Sequence, residues 1–301
     1  MSLVDSHCHA LLGLYNPLDP QQVQALVQNH GLSFKSASEE CLTSILNHEN
    51  YKERMHSFTS STIEHFNFYT VNYLDALVNL FHAHNCNALS SSRYSLGVGL
   101  HPYYVATQSP ALLEQELLGI VSLLEHFLAP SSLIASSLGE IGLDRRLPMP
   151  LSVQLEWLKR FIQSTAHFNL PYSFHCVGAY DELAKLIKDL SLHKRVGFPK
   201  TITEKKLPYS SVQVGTIHGF NGSSEQGQKL VNLGLKLGLG KSLLAVQNTK
   251  KFTALLNLVP PESLVFESDY DGTSGPCYDA TLIPALQARL ITLREPLKEL
   301  W

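Results

Sequence analysis

Residues 172–190 read YSFHCVGAYDELAKLIKDL, and the reading of this stretch decides the fold. YSFH is a short apolar run that ends on a histidine, and from Tyr180 onward apolar residues return at helical spacing, so a strand is followed by a helix. The same rhythm recurs along the chain. LVDSH ends at His7, YSLGVGLH at His101, VQVGTIH at His218 and LVFESD at Asp269, while LIASSLGEIGL carries Glu140. HFNFYTV at residues 65–71 and LKLGLG around 235–240 bring the predicted strands to eight. Their aliphatic and β-branched content suits buried parallel strands. SVQLEWLKRFIQSTAHF and NYLDALVNLFHAHN read as intervening helices, and residues 21–58 as a helical connection longer than an ordinary one. The economical architecture is an α/β (β/α)8 TIM barrel occupying residues 1–301 as one unit; a doubly wound open sheet is the alternative.

Composition narrows the class. The chain is 44% hydrophobic and 16% charged, the balance of a globular protein with a large core. Its formal net charge of −3 gives no global positive field, so a nucleic-acid substrate would need a local basic patch or metal ions. Charged or polar residues interrupt every apolar run before the roughly 18 positions of a transmembrane helix. MSLVDSHCHA lacks the basic and apolar regions of a signal peptide, and five cysteines without finger spacing argue against a disulfide scaffold. The expectation is an intracellular protein, cytosolic or nuclear, with no membrane partner.

A barrel gives polar residues at the C-terminal ends of its strands one destination. His7, Glu140, His175, His218 and Asp269 all fall near such ends. His9 lies two positions after His7, on the same strand face and roughly 7 Å further along. Together these imidazoles and carboxylates can hold one or two borderline divalent ions, with a carboxylate bridging a pair. Each has a plainer reading too: a histidine can cap a carbonyl, Glu140 can pair with a nearby arginine, and Asp269 can cap a helix. Their convergence on strand ends favours the metal centre. Strand alternation turns Cys8 and Cys176 away from it, and Cys41, Cys86 and Cys277 carry no readable signal. FNGSSEQ after His218 reads as a helix start with a serine N-cap and an acidic first turn, or as a turn aiming amides at an anion.

The ordered motifs DSHCHA, GLHP, GEIGLD, FHC, IHGFNGS and ESD, from Asp5 to Asp269, resemble the signatures of the TatD-related metal-dependent hydrolases. GEIGLD is the most distinctive. The resemblance implies a metal-dependent (β/α)8 barrel, often with deoxyribonuclease or exonuclease activity. It also implies His7, His9 and Asp269 at one ion, His175 and His218 at a second, and Glu140 between them. Zinc, magnesium or manganese would lower the pKa of bound water and polarise a phosphoryl group. Asp269 is then the candidate to orient that water and take its proton, with Glu140 as its catalytic companion.

The chain departs from the family's pattern where substrate would be held. FHCVGAYDE has no basic residue shortly after His175, and GLDRRLP replaces the aromatic residue that often follows GLD. Arg145 and Arg146 are candidates for the missing phosphate contact, or else a solvated loop pair. His101 is a candidate to face substrate or stand behind a ligand; a simple capping histidine is the alternative. REPLKELW resembles only superficially the basic Asn-Glu-Pro element of many relatives. The expected activity is phosphodiester hydrolysis of DNA at single-stranded ends. The alternatives are an amide or ester hydrolase, such as an aminoacyl-tRNA deacylase, and an interaction protein that keeps its metal for stability.

Overall fold

Eight parallel strands lie in sequence order in one sheet. They are β1 (Val4–Cys8), β2 (His65–Tyr69), β3 (Tyr94–Val98), β4 (Ala135–Asp144), β5 (Tyr172–Val177), β6 (Gly215–His218), β7 (Leu235–Leu239) and β8 (Leu264–Phe266). The computed structural model describes residues 3–9, 61–63, 65–71, 75–76, 94–127, 135–194, 214–271 and 278–295. The sheet closes on itself between β8 and β1. There His9 N donates to Tyr270 O at 2.7 Å, Asp269 N donates to His7 O at 3.0 Å, and Cys8 pairs with Tyr270 in a parallel bridge. The barrel reading therefore holds over the open sheet. Each of the eight expected strands is present; residues 21–58, most of NYLDALVNLFHAHN and Cys41, Cys86 and Cys277 lie outside the described residues.

Helices α1 (Pro102–Thr107), α2 (Pro110–Phe127), α3 (Leu151–Thr165), α4 (Tyr180–Asp189), α5 (Ser224–Val231), α6 (Thr249–Leu258) and α7 (Leu282–Arg294) are the described α-helices. α3 buries Gln154, Trp157, Leu158, Phe161, Ile162 and Thr165, the stripe that a 3.6-residue period produces. Each large apolar side chain so buried contributes about 1.5–3 kcal/mol. Gln154 is the polar exception, and it clasps the end of β4 by accepting from Asp144 N at 2.8 Å and donating to Asp144 O at 3.0 Å. α5 opens with the expected serine: Ser223 Oγ accepts from Gln226 N while Gln226 Oε1 accepts from Ser223 N, and Glu225 sits in the first turn.

Strand alternation sorts side chains between two environments. On β5 the Tyr172 hydroxyl donates outward to Ile162 O of α3, whereas Ser173 Oγ lies across the barrel 3.4 Å from His7 Nδ1. Asp5, His7, Glu140, His175, His218 and Glu267 all come to rest buried. Two expectations about strand ends need correction. β3 stops at Val98, so His101 lies beyond it as the N-cap of α1, where Pro102 supplies a first helical residue that needs no donor. β8 stops at Phe266, and Asp269 follows it with φ +50, a left-handed conformation outside the strand region, although Asp269 and Tyr270 still pair with β1. Among the described residues no helix is long and apolar enough to cross a membrane.

Candidate metal centre

Glu140 lies at the hub, 2% exposed, with five imidazoles around its carboxylate. Its Oε1 is 2.9 Å from His218 Nε2, 3.0 Å from His175 Nδ1 and 3.2 Å from His101 Nε2. Its Oε2 is 3.3 Å from His7 Nε2 and 3.5 Å from His9 Nε2. Burial opposes the charge on Glu140, but His101, His218 and His7 outweigh it and hold the carboxyl well below its ordinary range. Burial, reinforced by the neighbouring His218, lowers His7 to about 4, so this ring is neutral at physiological pH. Tyr69 stacks on His7 with ring centroids 4.3 Å apart, and His218 stacks on it at 4.0 Å.

The outer nitrogen of each ring reveals what the inner one offers. His9 Nδ1 lies 3.0 Å from Tyr69 O; a carbonyl only accepts, so Nδ1 carries a hydrogen and Nε2 is the nitrogen turned inward to Glu140. His175 Nε2 lies 2.9 Å from Asp144 Oδ2 and Nδ1 3.0 Å from Glu140 Oε1, so both nitrogens donate to carboxylates, and Nδ1 is the one whose proton a bound ion would replace. His101 differs. Its Nδ1 accepts from Tyr103 N at 3.1 Å, so Nε2 carries the hydrogen and donates to Glu140. Although His101, Glu140 and His175 lie close enough to share an ion, this hydrogen bond makes His101 a donor.

The remaining donor set fits a divalent ion. Lone pairs of several imidazoles face a carboxylate at short range, an arrangement that repels itself unless a cation or proton stands among them. His7 Nε2 is buried with no hydrogen-bond partner among the described residues. Two groups place ligand atoms within reach of one ion: His7, His9 and Asp269, and His7, Glu140 and His218. Asp269 approaches from the rim, 53% exposed, with Oδ1 3.9 Å from both His7 Nε2 and His9 Nε2. The six residues expected to converge do so, and no arginine pairs with Glu140 among the described residues. Cys8 Sγ points to Asn67 O at 3.5 Å, away from the cluster, and Cys176 is buried.

Arg145 and Arg146 part company. Arg145 Nε donates to Gly178 O at 2.5 Å and its Nη2 to Glu182, tying the loop after β4 to the one after β5. Arg146 remains beside the cluster: its Nη2 donates to Asp144 Oδ2 at 2.6 Å and to Tyr103 OH at 2.8 Å. Sequence reasoning missed the carboxylates behind the site. Asp144 and Glu267 are the final residue of GEIGLD and the first of ESD, so the motifs contained them. Asp5 was equally visible in DSHCHA; it accepts from Ser268 N at 2.9 Å, Tyr278 OH at 2.8 Å and His7 N at 3.3 Å. Burial pushes Asp5 up to about 7 against those hydrogen bonds.

Fold and donor cluster together define a parallel (β/α)8 barrel with a metal-type centre at its C-terminal mouth. A family model described as TatD related DNase matches residues 4–276, and the chain belongs to that family. An uncharacterized metal-dependent hydrolase of Haemophilus influenzae is 30% identical over 191 residues, 62% of each chain. The uncharacterized metal-dependent hydrolase YjjV of Escherichia coli is 30% identical over 173 residues, 57% of this chain and 56% of that protein. The match thus spans less than two thirds of these relatives. The crystal structure of YjjV, a TatD homologue, superposes with a TM-score of 0.57 at 22% identity, covering 99% of this chain and 92% of the other, a likeness of fold.

Proposed function

We propose that this protein is a divalent-metal-dependent hydrolase that cleaves phosphodiester bonds of DNA, working from single-stranded ends. The observation that carries the reading is the convergence of His7, His9, His175 and His218 on buried Glu140, with half-exposed Asp269 at the mouth. These six residues are the proposed ligands of one or two ions of zinc, magnesium or manganese. The family's description as DNases supports the choice of a phosphodiester. When bound, such an ion makes coordinated water more acidic and draws charge from a phosphoryl oxygen.

The chain's own groups do the rest. Asp269 is reachable by solvent and is the group placed to orient water and accept its proton. His101, held as an Nε2–H donor by the amide of Tyr103, steadies Glu140 and lies beside the path to substrate. Arg146, 60% exposed, offers a guanidinium edge to a phosphate. Water adds to phosphorus, the P–O bond to the sugar oxygen of the neighbouring nucleotide breaks, and the proton taken from water by Asp269 balances the one that sugar oxygen gains as it leaves as a hydroxyl. Residues 1–301 act as one catalytic unit in this reading, inside the cell.

A carbonyl substrate is the second reading, and one observation favours it: both candidate phosphate contacts already hold a carboxylate, Arg145 with Glu182 and Arg146 with Asp144. The test is nucleotide release from end-labelled single-stranded DNA with magnesium, manganese or zinc, run beside an aminoacylated RNA. Metal-dependent release by the wild type, lost in folded Asp269→Asn, supports the phosphodiesterase. Deacylation without nucleotide release shifts the assignment to carbonyl chemistry. Metal uptake without either reaction leaves an interaction role.

A further inference from the structure

We propose that Asp144 and Glu267 are positioning residues that fix His175 and His218 with their lone pairs turned to the metal centre. The inference rests on the metal reading above and not on the choice of substrate. A ligating imidazole is oriented, and made more electron-donating, by whatever its other ring nitrogen is bound to; a carboxylate there is the strongest such partner. Two rings of the cluster face one: Asp144 at hydrogen-bond distance from His175, and Glu267 at 3.7 Å from His218, close enough to close on it when the site is loaded.

Behind His175, Asp144 is fully buried and has almost no freedom to turn. Its Oδ2 faces His175 Nε2 at 2.9 Å and takes Arg146 Nη2 at 2.6 Å; its Oδ1 takes Arg146 N at 2.8 Å and Arg146 Nε at 3.0 Å. Gln154 clamps its backbone from the helix side. Behind His218, Glu267 is fully buried, with Oε1 3.7 Å from Nδ1. The barrel is built around this second carboxylate. Gly219, at φ +56, turns its amide to donate to Glu267 Oε1, and a Cβ on Gly238 would strike the carboxylate itself. Glu267 Oε2 and His218 Nδ1 are buried without hydrogen-bond partners among the described residues, each the complement of the other.

The other two rings are backed by neutral groups, His9 by the Tyr69 carbonyl and His7 by the Ser173 hydroxyl. That difference supplies the control. The probe is zinc, measured by competition with a chromogenic chelator at fixed pH on the whole chain. Asp144→Asn, Glu267→Gln and Gly238→Ala are expected to weaken zinc binding about 10- to 100-fold, the usual scale for a carboxylate behind a ligating histidine. Ser173→Ala is expected to stay within about threefold of wild type, the worth of one weak neutral hydrogen bond, since Ser173 Oγ lies 3.4 Å from His7 Nδ1. Thermal melts of the chelated proteins check that each variant folds, and three variants at separate positions in the barrel keep the test alive if one does not.

Zinc affinities of the folded carboxylate variants equal to wild type would overturn the proposal, as would an equal loss in Ser173→Ala. A wild-type protein that takes up no zinc would instead overturn the metal reading on which it rests.

Discussion

Glu140 and Asp269 are both carboxylates of one cluster, yet they occupy opposite extremes of the barrel mouth. Glu140 sits inside the longest strand, 2% exposed, with five imidazole nitrogens between 2.9 and 3.5 Å of its oxygens. Asp269 sits three residues past the end of the shortest strand, 53% exposed, on a left-handed backbone, and no nearer than 3.9 Å to any of its histidines. A buried charge with that many partners is a fixed hub, since it cannot turn without leaving them unpaired. A carboxylate at the rim keeps water and substrate within reach. The contrast divides the labour between holding metal and handling protons.

Breaking the hub has the largest expected consequence. Glu140→Gln removes the charge that the imidazoles surround, and turnover should fall about 10,000-fold or more, on the scale of losing a catalytic unit. Zinc content after gel filtration should fall with it; a variant that keeps its full complement of ion would refute the hub. Asp269→Asn should act differently. Turnover is expected to fall about 100- to 10,000-fold, the range of general base catalysis, while ion at His175 and His218 is retained. Equal loss of ion in both variants would erase the proposed division of labour.

The seam that carries Asp269 offers a third probe. Asp5 is buried where β8 meets β1 and holds Ser268 N and Tyr278 OH. Its carboxyl is raised to about 7, so the folded protein binds that proton more tightly than the unfolded chain. The contribution to stability is fully present below about pH 4 and is lost as pH rises through 7, by on the order of 4 kcal/mol. Denaturant unfolding of chelated protein at pH 5 and pH 8 should show about two thirds of that fall in wild type, and a shallower one in Asp5→Asn. Parallel curves would mean that Asp5 ionises freely within the seam.

The strands and their polar ends were legible because burial on both faces writes aliphatic runs, and because the site residues interrupt those runs at the strand termini. YSFH and VQVGTIH announced His175 and His218 in this way. Roles that depend on the outer ring nitrogen were not legible. Nothing in GLHP says that His101 Nδ1 accepts the Tyr103 amide, because that bond exists only once α1 has formed around it. Asp144 and Glu267 lay in quoted motifs but matter through partners brought to them by β5 and β6, far along the chain. The exposed turn at Asp269 was likewise hidden in LVFESD, which reads as continuous strand although β8 ends at Phe266 and the backbone turns left-handed at Asp269.

The smallest expected effect separates the two arginines, and it also asks on which side of the mouth substrate rests. Arg145 spans loops, bound to Gly178 O and to Glu182; Arg146 leans on Asp144 and Tyr103, beside His175. Tyr103 continues the wall, its ring 5.0 Å from His101 and 5.8 Å from His175. If a phosphate sits against this side, Arg146→Ala should raise KM about 10-fold, the worth of one hydrogen bond to a charged group. Arg145→Ala should leave KM unchanged and cost no more than about 1 kcal/mol of stability, as an exposed ion pair does. Loss in Arg145→Ala alone would move the phosphate toward the loop after β5. No change in either would remove the basic contribution from this rim and strengthen the case for a carbonyl substrate, whose recognition needs no guanidinium.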